Sequence, residues 1–242
     1  MTDSAIHPGD NSHSERAVVL DAVSKLFGRF AALHDLSATL YRGRLYGLLG
    51  ENGAGKTTLL RIIAGLARPS RGKVQVFGSP DVRAVSARIG YMAHATLLYD
   101  ELNARENLDY FRGLYAGRAT ADTSDLLEMV GLAEVDARRR VHQYSQGMKQ
   151  RLALARAILA SPDLLLLDEP FSNVDSKSIA TMSRLLGSLR DRGTTLIVIT
   201  HQVDALADVA DEWITLHAGT IIHQAPRRLE PHPVTSPLRS SE

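Results

Sequence analysis

The chain has 242 residues, 44% of them hydrophobic and 23% charged, a balance that excludes the disordered and fibrous classes. Its 28 basic and 27 acidic side chains leave a net charge of +1, which gives no support to nucleic acid as a partner. There is no cysteine, so disulfide frameworks, thiolate metal sites and cysteine catalysis are excluded together. No run approaches the ~18 apolar residues that a membrane span needs. The opening MTDSAIHPGDNSHSER is polar and acidic where a secretory signal is basic and then apolar, which predicts a chain that stays where it is made.

In chain order, residues 1–16 lack an apolar period and are expected to form a disordered arm. Strands are expected at 17–23, 36–41 and 44–49, the last running straight into glycines. A helix over 57–66 follows, with Leu59, Leu60, Ile62, Ile63 and Leu66 at helical spacing. Further strands are expected at 73–77 (KVQVF) and 89–93. Asn103 followed by Glu106 reads as the cap of a helix reaching about residue 115. After the arginine-rich stretch 136–143, Met148, Leu152, Ala155 and Leu159 form a one-faced helical stripe.

The four leucines 164–167 suit a strand buried on both faces. Ser176 is expected to cap the next helix, and TTLIVIT (194–200) reads as a central strand. A hairpin of 213–216 and 220–223 closes the pattern, and the proline-rich residues 226–242 form a tail. Strands separated by helices predict an α/β fold with a largely parallel sheet. The helical stretch of about 95–160 is long enough to be a subdomain inserted into it.

Gly50-Glu51-Asn52-Gly53-Ala54-Gly55-Lys56-Thr57 fits the phosphate-loop pattern G-x-x-x-x-G-K-[ST] at every position. A triphosphate needs many donors at once, and a loop of small residues turns consecutive backbone N–H groups inward around it. The following helix, which Thr58 continues, aims its positive end at the same anion. Lys56 adds a charge for the β- and γ-phosphates, and the Thr57 hydroxyl suits Mg²⁺. Asp168 and Glu169 end the leucine strand at the edge where a parallel sheet meets its ligand. Asp168 suits the Mg²⁺ shell, and Glu169 suits orienting and deprotonating a water aimed at the γ-phosphate. His201, at the end of TTLIVIT, is placed to donate to that phosphate and to hold Glu169. No guanine-reading NKxD and no substrate lid supports a GTPase or kinase reading.

Together these pieces resemble the nucleotide-binding subunit of an ABC transporter over roughly residues 17–225. Tyr144-Ser145-Gln146-Gly147-Met148 stands in the place of the family's LSGGQ signature, with Ser145 and Gly147 at its serine and second glycine. Ser172-Asn173-Val174-Asp175 is similar to the family's D-loop. The resemblance implies a P-loop NTPase fold with a mainly parallel central sheet, an N-terminal antiparallel β part and the helical insert. It implies ATP hydrolysis with Mg²⁺, and two copies packed head to tail, so that Ser145, Gln146 and Gly147 of one copy cover the triphosphate of the other. Asp175 would help couple the two sites. Phe27, or else Phe30, would stack on adenine.

The resemblance also implies transmembrane permease subunits as partners, with the chain peripheral to the cytoplasmic face of the inner membrane. His94 stands where the family has a glutamine that contacts Mg²⁺ and water. Imidazole donates to water or phosphate but is a poorer Mg²⁺ ligand when protonated. That histidine, followed by residues 102–108 (LNARENL), is similar to the ATP-binding subunit of the haem exporter of cytochrome c maturation. The alternatives are the ATPase of a drug or lipid exporter, or a soluble ABC ATPase outside transport. The short separation of phosphate loop and signature argues against the long coiled coils of the repair members.

Overall fold

The structure, a computed structural model, describes residues 15–115 and 120–226. Its strands are β1 (Arg16–Phe27), β2 (Phe30–Tyr41), β3 (Leu45–Leu49), β4 (Arg71–Val76), β5 (Ile89–Met92), β6 (Leu164–Asp168), β7 (Thr195–Ile199), β8 (Glu212–His217) and β9 (Thr220–Pro226). Its helices are α1 (Lys56–Ile63), α2 (Ala104–Leu114), α3 (Thr123–Met129), α4 (Gln146–Ile158) and α5 (Ser176–Asp191). Six strands form the central sheet in the order β5-β6-β7-β3-β8-β9, parallel except for the β8–β9 hairpin. A second, antiparallel sheet has the order β2-β1-β4.

Strands β6 and β7 are buried at every residue, as a parallel sheet covered on both faces demands. Alternate side chains feed two cores. Leu165, Leu167, Leu196 and Val198 join Trp213, α4 and Met182, Leu185 and Leu186 of α5 on one face. Leu164, Leu166, Ile197 and Ile199 point to the other, where Leu59, Leu60, Ile62 and Ile63 of α1 meet the antiparallel sheet. Helix α1 is therefore held between two sheets, and the loop that precedes it is fixed from both sides.

Among the described residues of the 95–160 stretch, α2, α3, a 3-10 turn at Val141–Gln143 and α4 lie between β5 and β6. Asn103 and Glu106 form the expected reciprocal cap, with Asn103 Oδ1 accepting from Glu106 N at 2.9 Å and Glu106 Oε2 from Asn103 N at 2.8 Å. The first core binds this stretch to the sheet through Leu108, Leu126, Leu132 and Leu152.

Four expectations need correction. Strands β1 and β2 run on to Phe27 and back from Phe30, well past 23 and 36, because register shifts and the left-handed residues Ala22 (φ 50°) and Asp35 (φ 48°) break the two-residue period. Asp175, not Ser176, caps α5, its carboxylate accepting from Ser178 N at 3.0 Å. Arg16 already pairs with Tyr41, and Glu15 is tied to Arg42 by a backbone hydrogen bond of 2.9 Å and an ion pair of 3.2 Å. Pro226 closes β9 opposite Glu212. The remainder of the expected arm and tail, 1–14 and 227–242, lies outside the described residues.

Gly47 sits in the middle of β3, where an added Cβ would come within 2.3 Å of the buried Trp213 ring. Overpacking of this kind costs about 1–3 kcal/mol. Gly47→Ala is expected to lower the unfolding free energy by that amount, read in chemical denaturation as a lower urea midpoint with an unchanged slope.

Candidate functional site

Residues 50–55 carry the chain from β3 into α1, and neighbours wedge them in place. Gly50 has φ 143° and Gly55 φ 101°, values that side-chain-bearing residues rarely adopt. A Cβ at Gly50 would meet Leu216 O at 2.3 Å, and one at Gly55 would meet Ala32 O at 2.4 Å. The β8–β9 turn closes on the loop through Gly219 N to Ala54 O at 3.1 Å, while Gly219 O accepts from His34 N at 2.9 Å. Thus both sheets and the terminal hairpin set the path of the loop.

Beside it lies a cavity of about 510 Å³. Asn52, Gly53, Ala54, Gly55, Lys56, Thr57 and Thr58 line its floor, and Asp168, Glu169, Ser172 and His201 line one wall. His94, from the segment after β5, also faces it. Phe27 and Phe30, 56% and 62% exposed at the tip of the β1–β2 hairpin, stand at its mouth. Both aromatics offered by the sequence are thus at the cavity. Gly50 and Glu51 contribute their carbonyls, to which Lys56 Nζ donates at 2.7 and 2.9 Å.

Lys56 is 7% exposed, and burial pulls its pKa below the ordinary lysine value, opposed by the carboxylates of Glu169 and Asp168. Contact with a phosphate oxygen exchanges the neutral carbonyls for an anionic acceptor, a stronger hydrogen bond. Thr57 Oγ1 donates to Asp168 Oδ2 at 2.9 Å, which brings together two hard oxygen donors of the kind Mg²⁺ takes. Among the described residues no group of three or more His, Cys, Asp or Glu is arranged to hold a metal. A cation at Thr57 and Asp168 therefore needs further oxygens, which phosphates and water supply.

Glu169 is the strained residue of the site. Its φ of 56° is left-handed, while its N–H continues the sheet by donating to Ile199 O at 3.0 Å. Its Oε2 accepts from His201 N at 3.4 Å. Its Oε1 is buried and has no hydrogen-bond donor; His201 Nε2 stands 3.3 Å away without hydrogen-bond geometry. A buried acceptor without a donor, facing a cavity, suits a water molecule.

Ser145 caps α4, its Oγ accepting from Met148 N at 3.2 Å, so the helix begins at Gln146 rather than near 148. Ser145 and Gln146 are exposed and Gly147 is buried. None of the three lines the cavity. The sequence reading missed Ala32 and Ile199, which line the cavity, because apolar residues carry no motif signal. Ser172 was visible only as part of the D-loop likeness.

A family model described as ABC transporter matches residues 33–172. The chain belongs to the ABC transporter family. A daunorubicin resistance ATP-binding protein of Streptomyces coeruleorubidus is 38% identical over 215 residues, covering 86% of this chain and 68% of that protein. A bacitracin transport ATP-binding protein of Bacillus licheniformis is 34% identical over 208 residues, covering 84% and 68%. Among solved structures, an ATP-binding cassette in a dimeric post-hydrolysis state with ADP and Pi superposes with a TM-score of 0.79 at 27% identity, covering 88% of this chain and 100% of that one.

This ABC cassette binds and hydrolyses ATP. Among its described residues, no helix is long and apolar enough to cross a membrane. Losing the charge-assisted contacts of Lys56 removes about 1.5–3 kcal/mol. Lys56→Ala is therefore expected to weaken ATP binding roughly ten- to a hundredfold, measured by calorimetry, with its melting temperature held close to the parent's.

Proposed function

We propose that the chain is the energy-supplying subunit of an ABC exporter, working as a head-to-tail pair bound to permease chains on the cytoplasmic face of the membrane. The observation that carries the reading is the separation within one chain of Ser145 from the cavity of Lys56 and Glu169. A helix N-terminus with an exposed serine suits an anion, and this one lies away from its own chain's cavity. A second copy would bring it over the γ-phosphate.

Backbone N–H groups of 50–55, Lys56 and the N-terminus of α1 would bind the phosphates. Thr57 and Asp168 would hold Mg²⁺, which supplies charge neutralisation at the β- and γ-oxygens when bound. Glu169 would accept the proton of the attacking water through its unpartnered Oε1, and His201 would keep that carboxylate in place. His94, which lines the same cavity, would donate to water or phosphate. Phe27, with Phe30 as its cross-strand neighbour, would stack on the adenine.

The relatives named above, a daunorubicin resistance and a bacitracin transport ATP-binding protein, support an antibiotic as the transported compound. The haem reading, which rests on His94 and its neighbourhood, draws no support from them. Deleting the gene in its native cell is expected to raise sensitivity to anthracycline or peptide antibiotics and to leave c-type cytochromes intact. The reverse pattern returns the haem assignment.

Glu169→Gln is expected to keep ATP affinity and lower kcat by about a hundredfold or more, the usual scale of general-base loss. It is also expected to elute as an ATP-dependent dimer in size-exclusion chromatography with light scattering. A variant that hydrolyses ATP at the parent rate rejects the base assignment.

A further inference from the structure

The least expected buried charge lies outside the cavity. Arg156, in α4, is 8% exposed, and among the described residues it has no carboxylate partner. Burial pulls its pKa below the ordinary guanidinium value, yet an arginine keeps its charge in proteins. A charge left unpaired in a core is unfavourable unless its donors are satisfied. Here Nη1 donates to the carbonyl of Leu97 at 2.8 Å, and the guanidinium stands 5.0 Å from the Phe111 ring of α2.

Leu97 itself is held awkwardly. Its φ is 51°, a left-handed value uncommon for a branched residue, and its side chain is 60% exposed while its carbonyl meets Arg156. A second contact lies seven residues earlier on the same face of α4, where Lys149 Nζ reaches Asp100 Oδ1 at 2.8 Å. Helix α2 grips the same segment through Asn107, whose amide accepts from Tyr99 N at 2.8 Å and donates to Tyr99 O at 3.0 Å. So residues 97–100 are fastened to α2 and α4, while His94, three residues before Leu97, faces the nucleotide cavity.

We propose that Arg156 is a positioning residue that locks the segment carrying His94 to the helix carrying Ser145, so that the two phosphate-facing groups move as one body. The inference rests on the proposed role of Ser145. Events sensed at His94 in one cavity would then set where Ser145 stands over the neighbouring one. Arg156 is not among the residues that line the cavity. Its effect is on the geometry in which hydrolysis occurs, and a displacement of about 1 Å costs up to a hundredfold in rate.

The test compares the purified full chain with Arg156→Met, Arg156→Lys and Lys149→Met, measuring kcat, KM, affinity for a non-hydrolysable ATP analogue and melting temperature. Arg156→Met is expected to lose about ten- to a hundredfold in kcat with analogue affinity within about twofold of the parent, because every group in the cavity is intact. Arg156→Lys is expected to recover part of the loss, and Lys149→Met to lose less, with its melting temperature unchanged. A folded Arg156→Met at the parent kcat overturns the proposal, as does an equal fall of kcat and analogue affinity. Should Arg156→Met fail to fold, parent kcat in both Arg156→Lys and Lys149→Met overturns it. Ser145→Arg in the same assay separates the two failures. Parent activity there rejects the paired reading itself, whereas its loss beside an active Arg156→Met rejects only the lock.

Discussion

The site depends on a steric constraint at two backbone positions. Gly50 and Gly55 pass so close to Leu216 O and Ala32 O that no side chain fits, and both have left-handed dihedrals. The carbonyls that press on the loop come from the central sheet and from the antiparallel sheet. A donor array for a polyanion must be fixed before the anion arrives, since ordering it afterwards would subtract from binding. Here the fold supplies that order, and Lys56 completes it by bonding to the loop's own carbonyls.

The second element of the design is a sheet buried on both faces. Four leucines hold β6 so firmly that Asp168 and Glu169 leave its end in defined positions, one on Thr57 and the other in a strained conformation toward the cavity. Strain of roughly 1–3 kcal/mol at a single residue persists only where the surroundings over-determine it. The ladder bond of Glu169 to Ile199 and the His201 backbone contact do so. Burial, strain and chemistry meet at one residue.

Much of this was legible in the sequence, for local reasons. The leucine strand and the Asn103–Glu106 cap each announce themselves within a few residues and form as expected, and the glycine-rich pattern of 50–57 does lie between a strand and a helix. The ends of β1 and β2 were not legible, because bulges at Ala22 and Asp35 erase the alternation on which a strand is read. Helix α3 was hidden within its polar surroundings. The cap of α5 was misassigned by one residue, since Asp175 and Ser176 are both good caps and only geometry separates them. The wedge on Gly50 and Gly55 and the Arg156 contacts join residues far apart in sequence, and no local pattern encodes them.

A single chain thus holds a floor, a carboxylate wall and an aromatic mouth, while Ser145 lies outside that cavity. The most direct measurement mixes two variants that are each expected to lose activity alone, Ser145→Arg and, at ATP concentrations too low to fill its weakened cavity, Lys56→Ala. In a mixed pair, one of the two chambers combines an intact phosphate loop with an intact signature. The account predicts that ATP hydrolysis returns on mixing and rises with the fraction of mixed pairs. A mixture no faster than its separate components, or Ser145→Arg working alone at the parent rate, contradicts it.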